Sequence, residues 1–163
     1  LDFELEFGVF LNRTGKNIDA ADALSYIGGY ALFNDFSARE IQLREMAARL
    51  GPAKGKDFDT GNAIGPYLVT PDEVSDPYDL TMRVRVNDEV WSETHSGSIQ
   101  HRLPEILAFI SQDETLYPGD FIAVGTLPDG CGLELDRWIQ VGDTVSLECD
   151  RLGVLTNRIV AAN

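Results

Sequence analysis

The chain has 163 residues, which suits one domain, and 44% of them are hydrophobic, which is enough for a buried core. Acidic residues outnumber basic ones by 27 to 13, giving a formal net charge of -14. A surface this acidic repels phosphate backbones, so no nucleic acid partner is expected. No apolar run approaches the roughly 18 residues of a membrane span, so no membrane partner is expected and a cytoplasmic location is predicted. The two cysteines, Cys131 and Cys149, form no CxxC pair, which favours free thiols over a disulfide framework or a zinc site.

The first nine residues alternate between apolar and acidic side chains. Phe3, Leu5, Phe7 and Val9 would lie on one face, and Asp2, Glu4 and Glu6 on the other. A period of two predicts a strand with an apolar face and an acidic face. The chain starts with Leu1 rather than Met, inside this pattern. We therefore expect a single domain over residues 1–163 that is truncated at its N-terminus.

The next segment, residues 19–27 (DAADALSYI), is predicted to be a short helix. Asp19 is its candidate N-cap, and Gly28 and Gly29 are expected to end it. The segment YALFN, residues 30–34, then reads as a brief strand.

A second helix is predicted directly after Asp35. Ser37 and Glu40 have the S-x-x-E spacing of a capping box, which marks a helix start. Good helix formers continue to Leu50, and Gly51 is expected to end the helix.

The rest of the chain is predicted to consist mostly of strands separated by turns. Seven or eight strands and three helices without regular βαβ alternation predict an α+β fold with a mixed or antiparallel sheet. The expected elements are a strand at 67–69, a hairpin of strands at 80–86 and 89–94, a helix at 103–111 with Pro104 in its first turn, strands after the Gly-Asp turns at 119–120 and 142–143, and a last strand at 154–160.

Glu4 and Glu6 can form part of a cation site. Residues i and i+2 share one strand face, with Cα atoms roughly 6.5 to 7 Å apart, so two glutamates can converge on one ion. All-oxygen ligation suits Mg²⁺, with Mn²⁺ or Ca²⁺ as alternatives. The alternative interpretation is the solvated outer face of an edge strand. Asp2 is interpreted as an ordinary flanking residue.

Asp35 strengthens the cation hypothesis because it lies between a strand and a helix, where functional side chains often occur. Arg39 and Gln42 are three residues apart and would share one face of that helix near Asp35. The alternative is that Asp35 helps to cap the helix and Arg39 pairs with a surface acid.

The histidines and the loop lysines are weaker candidates. His95 and His101 are the only imidazoles, and a structural role is favoured for each over a general base. Lys54 and Lys56, in a glycine-containing loop, could bind an anion or be solvated. No G-x-S-x-G, P-loop or G-x-G-x-x-G motif supports serine hydrolase or nucleotide-binding chemistry.

Four stretches resemble the fumarylacetoacetate hydrolase family and occur in its order: LDFELEFGVF, YIGGYALFNDFSAREIQ, KGKDFDTGNAIGPYLVT and YPGDFIAVGT. The resemblance implies a mixed-sheet or β-roll fold, usually a homodimer, and a divalent metal held by Glu4, Glu6 and Asp35. It also implies that Arg39 and Lys56 are catalytic residues and that Gln42 and Thr126 bind substrate.

The resemblance further implies a 2-oxo or 1,3-dicarbonyl acid as substrate. Its favoured reaction is hydrolysis of a C–C bond through a metal-chelated enolate, in aromatic catabolism. Decarboxylation, isomerisation or dehydration of a 2-oxo acid, and a non-catalytic family member, are the alternatives.

Two departures from the family pattern bear on the reaction. The family's water-activating His–Glu pair precedes the E-x-E motif, and neither His95 nor His101 matches it, so a separate N-terminal fragment is a further expected partner. Cys131, in GTLPDGCGLEL, stands where a small apolar residue is usual, which leaves the substrate open.

Overall fold

The structure, a computed structural model, describes residues 1–49 and 51–161. Within these ranges the chain forms ten strands, four α-helices and two 3-10 helices, at Ala23–Tyr26 and Ser96–Ser98. The strands are β1 (Leu5–Leu11), β2 (Gly15–Lys16), β3 (Ile27–Asp35), β4 (Asn62–Val69), β5 (Thr81–Val86), β6 (Glu89–His95), β7 (Thr115–Leu116), β8 (Phe121–Ala123), β9 (Thr144–Cys149) and β10 (Gly153–Arg158). The helices are α1 (Arg39–Ala47), α2 (Ala53–Lys56), α3 (Leu103–Ile110) and α4 (Gly132–Leu135).

Two four-stranded sheets organise the described part of the chain. The first has the order β4-β3-β1-β8 and the second the order β10-β9-β5-β6, while β2 and β7 form a small separate pair. Within the described residues, neighbouring strands in these sheets run antiparallel. The α+β class is confirmed, and β1 lies inside its sheet with neighbours on both sides.

The core joins the apolar faces of the two sheets. The first sheet contributes Leu5 and Phe7 from β1, together with Phe3 just before that strand, all fully buried, and the second sheet contributes Met82 and Val84. Alternation along each strand puts these side chains on one face, and burying each one contributes about 1.5–3 kcal/mol.

The prediction of a helix at 19–27 is wrong in its length and in where the helix ends. Only Ala23–Tyr26 is helical, as a 3-10 helix, and β3 begins at Ile27 and runs through both glycines. Gly29 belongs in the strand because β4 packs against it closely: a Cβ there would lie 2.2 Å from Cδ2 of Leu68. Asp19 accepts a hydrogen bond from the Ala21 nitrogen instead of capping the helix.

The capping box at Ser37 and Glu40 is also wrong. The N-cap of α1 is Ala38, without a side-chain hydrogen bond, and Ser37 Oγ donates to the Asp35 carbonyl at 3.0 Å. Glu40 pairs with Arg44 on the exposed face of the helix. α1 ends at Ala47, and the predicted end at Leu50 lies outside the described residues.

The later elements match their sequence signals. The β5–β6 hairpin is present, α3 has Pro104 in its first turn, and both Gly-Asp turns are followed by strands. Gly119 and Gly142 have φ values of 92° and 100°, a region that glycine adopts without steric cost. Cys131 and Cys149 are buried free thiols, as expected. None of the described helices combines the length and the apolar character needed to cross a bilayer.

Candidate metal centre

Three carboxylates converge where the start of β1 lies beside the end of β3. Glu4 directly precedes β1, Glu6 lies on it, and Asp35 is the last residue of β3. The antiparallel register pairs Leu5 with Asn34, which brings the three acids together. One oxygen from each carboxylate lies within 4.8 Å of the others. The structure thus juxtaposes the three residues predicted as metal ligands, and their ligation of an ion stays a prediction.

Lys56 bridges two of these carboxylates. Its ammonium donates to Glu4 Oε2 at 2.5 Å and to Asp35 Oδ2 at 2.7 Å. The lysine side chain is 18% exposed, so the ammonium lies at the edge of the cluster. Lys56 is therefore placed where it can meet a ligand of the acidic site.

Helix α2 carries Lys56 and is anchored on α1. The Glu45 carboxylate accepts hydrogen bonds from the backbone nitrogens of Lys54 and Gly55 at 2.7 and 2.9 Å. Gly55 packs on the α1 backbone, since a Cβ there would lie 2.8 Å from Gln42 Cα. Glu45 and Gly55 thus hold the backbone beside Lys56. No local sequence pattern singles out these two residues.

Arg39, at the first turn of α1, is buried and points into the cluster. Its Nη1 donates to Glu4 Oε1 at 2.7 Å and to Gln42 Oε1 at 2.9 Å. Its Nε donates to Asp2 Oδ2 at 2.8 Å, and Nη2 lies 2.7 Å from the same oxygen as an ion-pair contact. Burial opposes the charge of Arg39, but these carboxylates outweigh it and raise the pKa of the guanidinium. The partners of Arg39 lie inside the protein, and its contact with substrate stays a prediction.

Asp2 is a site residue that sequence reasoning missed. The sequence pattern predicts an ordinary flanking residue here, but the Asp2 side chain is fully buried. Besides Arg39, it accepts hydrogen bonds from the backbone nitrogens of Phe3, Gly132 and Leu133, at 2.9, 2.8 and 3.1 Å. The signal that could have found it is the alternation itself, because Asp2 shares a strand face with Glu4.

Glu6 has no cationic partner within the described ranges. Its carboxylate accepts from the Gly125 nitrogen at 3.1 Å and from the Thr126 hydroxyl at 3.3 Å. Gly125 has a φ of 88°, a conformation that favours glycine and that presents this nitrogen to the acid. Thr126, predicted to bind substrate, therefore lies at the cluster and supports Glu6.

The electrostatics of the cluster differ from acid to acid. Burial, followed by the negative charges of Glu4 and Asp35, raises the pKa of Glu6 to about 8. Burial also raises the pKa of Asp35, and the nearby Lys56 offsets this only in part. Burial acts on Glu4 as well, but Lys56 and Arg39 together outweigh it and lower its pKa.

The charge balance of the cluster fits a divalent cation. Four carboxylates, those of Asp2, Glu4, Glu6 and Asp35, lie with two cations, and Glu6 is the acid that has no ion-pair partner among the described residues. A divalent ion would balance the two excess charges, and carboxylate oxygens are the ligands that Mg²⁺, Mn²⁺ and Ca²⁺ prefer. The donor set therefore fits a hard divalent metal.

The two histidines lie elsewhere. His95 Nε2 is 3.3 Å from Asp79 Oδ1, and its Nδ1 accepts from the Gly97 nitrogen. His101 lies beside α3, close to the exposed Phe109. Among the described residues, neither imidazole has a hydrogen bond or ion pair with the acidic cluster, and the structural roles favoured for them stay predictions.

Fold and site together define an α+β domain with a buried acidic cluster at the junction of two strands. The chain belongs to the fumarylacetoacetate hydrolase family: the family's signature "Fumarylacetoacetate (FAA) hydrolase C-terminal" matches residues 1–160. The family resemblance read from the sequence is confirmed.

Curated relatives include oxaloacetate tautomerases. The chain is 36% identical over 162 residues to oxaloacetate tautomerase Fahd2a, mitochondrial, of Rattus norvegicus, and 37% identical to oxaloacetate tautomerase FAHD2A, mitochondrial, of Homo sapiens. In both cases 98% of this chain is covered, against 50% and 51% of the relative. The chain spans about half the length of the curated relatives it matches.

Solved structures show the same fold. A 5-carboxymethyl-2-hydroxymuconate delta-isomerase from Mycobacterium smegmatis matches with a TM-score of 0.87 and 33% identity, over 99% of this chain and 59% of that one. A fumarylpyruvate hydrolase from Pseudomonas aeruginosa, in complex with Mn²⁺ and pyruvate, matches with a TM-score of 0.89 and 25% identity, over 99% and 66%. The family thus includes isomerases, tautomerases and hydrolases, and specific C–C hydrolysis is not established for this chain.

Proposed function

We propose that this protein is a divalent-metal-dependent enzyme that interconverts the keto and enol forms of a 2-oxodicarboxylic acid such as oxaloacetate. The observation that carries the proposal is the cluster of Glu4, Glu6 and Asp35. The negative charge of these acids exceeds the positive charge of the neighbouring Arg39 and Lys56. The names of the curated relatives at 36% and 37% identity support the choice of reaction and substrate.

The three carboxylates would hold the metal, Mg²⁺ in the first instance, with Mn²⁺ and Ca²⁺ as alternatives. When bound, the ion would supply Lewis acidity to a chelating 2-oxo carboxylate. Glu6 would be ionised when the metal is bound, because the positive charge of the ion would lower the raised pKa of this carboxyl. The Thr126 hydroxyl and the Gly125 nitrogen keep the Glu6 carboxylate oriented toward the cluster.

Lys56 is the residue best placed for chemistry on a bound acid. Its ammonium lies at the edge of the cluster, where it would face the negative charge that grows on the oxygen of a 2-oxo acid as the enol forms. Arg39 would act from within by holding Glu4, and Gln42 by accepting from Arg39. In ketonisation the Lys56 ammonium would give a proton to the enol carbon, and the resulting amine would take the proton of the enol hydroxyl, so that the lysine ends in its starting state. This makes Lys56 the proposed catalytic residue.

Tautomerisation suits this arrangement because it moves only a proton between carbon and oxygen. Hydrolysis of a C–C bond also needs a base that activates water. Among the described residues, no imidazole contacts the cluster, whereas an ammonium does. The ammonium beside the acids is the group that this simpler reaction would use.

C–C hydrolysis of an acylpyruvate is the second candidate. It is supported by the likeness to the fumarylpyruvate hydrolase that was solved with Mn²⁺ and pyruvate. Decarboxylation or dehydration of a 2-oxo acid would use the same cluster. Product analysis separates these reactions, because hydrolysis releases pyruvate and a second carboxylate, and decarboxylation releases CO₂.

The decisive experiment follows enol-oxaloacetate by its ultraviolet absorbance in the full-length natural protein, with Mg²⁺, Mn²⁺ or Ca²⁺ and with EDTA. We expect metal-dependent ketonisation that is lost in Glu6→Gln and in Lys56→Met. Glu148→Gln is the matched control, because it makes the same acid-to-amide change in a pair with Arg85 on the second sheet. Ketonisation that is equally fast in EDTA, or that Glu6→Gln leaves unchanged, would contradict the proposal.

Other expectations drawn from the sequence remain predictions. They are a homodimer, a separate N-terminal fragment as a further partner, a role in aromatic catabolism and a cytoplasmic location. The mammalian relatives carry "mitochondrial" in their names, so location is the least supported of these. Gel filtration of the full-length protein would test the dimer.

A further inference from the structure

Both carboxylate oxygens of Asp2 accept hydrogen bonds from described residues. Its side chain is fully buried, and Oδ1 accepts from the backbone nitrogens of Phe3 and Gly132. Oδ2 accepts from the Leu133 nitrogen and from Arg39 Nε. A carboxylate with this many donors is fixed in one orientation, since any rotation breaks several bonds.

Arg39 is held in turn by two carboxylates at opposite edges of its guanidinium. The Nε and Nη2 edge meets Asp2 at 2.8 and 2.7 Å, and Nη1 meets Glu4 Oε1 at 2.7 Å. The planar fork of an arginine can make both contacts at once, which a lysine ammonium on a flexible stem does less well. The contacts thus form a chain from the fixed Asp2 through Arg39 to a member of the acidic cluster.

We propose that Asp2 is a positioning residue that holds the Arg39 guanidinium against Glu4 and thereby sets the direction of the Glu4 carboxylate in the metal centre. Its consequence for metal binding rests on the proposed function, whereas the Asp2–Arg39 link stands on the geometry alone. Groups that orient metal ligands typically change metal affinity by about 10–100-fold when they are altered.

A second role of Asp2 must be separated from this one. Gly132 and Leu133 begin α4, a few residues beyond Thr126, which contacts Glu6. Asp2 fastens this segment, and the fit is close, because a Cβ on Gly132 would lie 2.5 Å from Asp2 Oδ1. An effect of mutating Asp2 could therefore pass through the loop and Glu6 instead of through Arg39 and Glu4.

A double-mutant cycle distinguishes the two routes. Mn²⁺ affinity is measured by electron paramagnetic resonance for the wild type, Asp2→Asn, Arg39→Lys and the double variant. We expect about 10–100-fold weaker Mn²⁺ binding in each single variant and no more than about twofold further loss in the double variant. Arg39→Lys keeps the positive charge, so a loss of Mn²⁺ affinity in this variant reports the position of the cationic group against Glu4. Glu148→Gln, the same class of change on the second sheet, should bind Mn²⁺ like the wild type.

The Nε–H signal of Arg39 in a ¹⁵N-correlated spectrum gives a readout independent of metal. It is assigned by its absence in Arg39→Lys, and we expect it to shift or broaden in Asp2→Asn because the acceptor of that proton changes. Three outcomes would each overturn the positioning role. The losses of Mn²⁺ affinity could multiply in the double variant, Arg39→Lys could bind Mn²⁺ like the wild type, or the Nε–H signal could stay unmoved in Asp2→Asn. If the wild type binds no Mn²⁺, the proposed function fails, and the spectrum alone decides the Asp2–Arg39 link. If Asp2→Asn does not fold, the affinity of Arg39→Lys decides instead.

Discussion

Strands β1 and β5 share an alternating pattern of apolar and charged residues, but their charged side chains are buried to different extents. On the acidic face that begins β1, Glu4 and Glu6 are only 7% and 4% exposed. On β5, the side chains of Arg83 and Arg85 are 33% and 35% exposed and pair with acids at the surface. The same period of two therefore produced a buried polar site in one sheet and a solvated face in the other.

The difference lies in what covers each charged face. Arg39 from α1, Lys56 from α2 and the segment with Gly125 and Thr126 all close over the acids of β1. The arginines of β5 pair with neighbours such as Glu148 that are themselves partly exposed. A charged strand face can be buried where other elements bring hydrogen bonds and opposite charges to it, and otherwise it stays in water.

The largest expected effect comes from the same substitution in the two regions. Arg39→Met should lower the free energy of unfolding of the metal-free protein by about 3–5 kcal/mol, because it leaves Asp2 buried without its cation and leaves Glu4 with Lys56 alone. Arg85→Met, on the second sheet, should cost about 1 kcal/mol or less, since water screens its pair with Glu148. Urea unfolding of both variants measures the difference. Equal losses would show that the β1 face is no more buried than the β5 face.

Metal addition should stabilise the first region specifically. Mn²⁺ at a hundred times its dissociation constant should raise the free energy of unfolding by about 2.7 kcal/mol, because only the folded chain assembles the site. Glu6→Gln should lose this gain, and Glu148→Gln should keep it, which thermal unfolding with Mn²⁺ or EDTA would show. A gain retained in Glu6→Gln would place the ion elsewhere.

The pH dependence of the metal-free protein tests the burial of Glu6. Its folded pKa of about 8 lies above the ordinary value of 4.5, so the folded chain keeps a proton that the unfolded chain has lost. Stability should therefore fall as pH rises between these values, on the order of 2 kcal/mol from pH 6 to pH 8. Unfolding of the wild type and of Glu6→Gln in parallel isolates this contribution, because other titrating groups are common to both. A difference between the two that stays constant across this range would contradict the raised pKa.

Local spacing was sufficient to predict that Glu4 and Glu6 converge, because a period of two puts them on one strand face. Asp35 was added by its place between a strand and a helix and by the family resemblance, and the structure shows that its strand pairs with β1. The β5–β6 hairpin and the Gly-Asp turns were also predictable, because their signals lie within a few residues. These features depend on neighbours along the chain.

The missed features depend on parts of the chain that are distant in sequence. Asp2 is buried because Gly132 and Leu133, about 130 positions later, donate to it. Gly29 stays in a strand because Leu68 packs on it, and no helix signal nearby reveals that contact. Ser37 does not cap α1, because its backbone pairs with that of Asp2 at the start of the chain and its hydroxyl donates to the Asp35 carbonyl. Tertiary contacts overrode local propensity at each of these positions.

The smallest expected effect concerns salt, and it separates the two regions without a change of fold. Raising NaCl to about 1 M shortens the screening length to about 3 Å, which weakens exposed ion pairs far more than buried ones. The cost of Arg85→Met, about 1 kcal/mol or less at low salt, should then become too small to measure, while the cost of Arg39→Met persists. Each variant is compared with the wild type at the same salt concentration, so that general effects of salt on stability cancel. If salt reduced the costs of both substitutions by the same fraction, solvent ions would reach the acids at the start of β1. Those ions could then balance the negative charge of Glu6 without a bound metal.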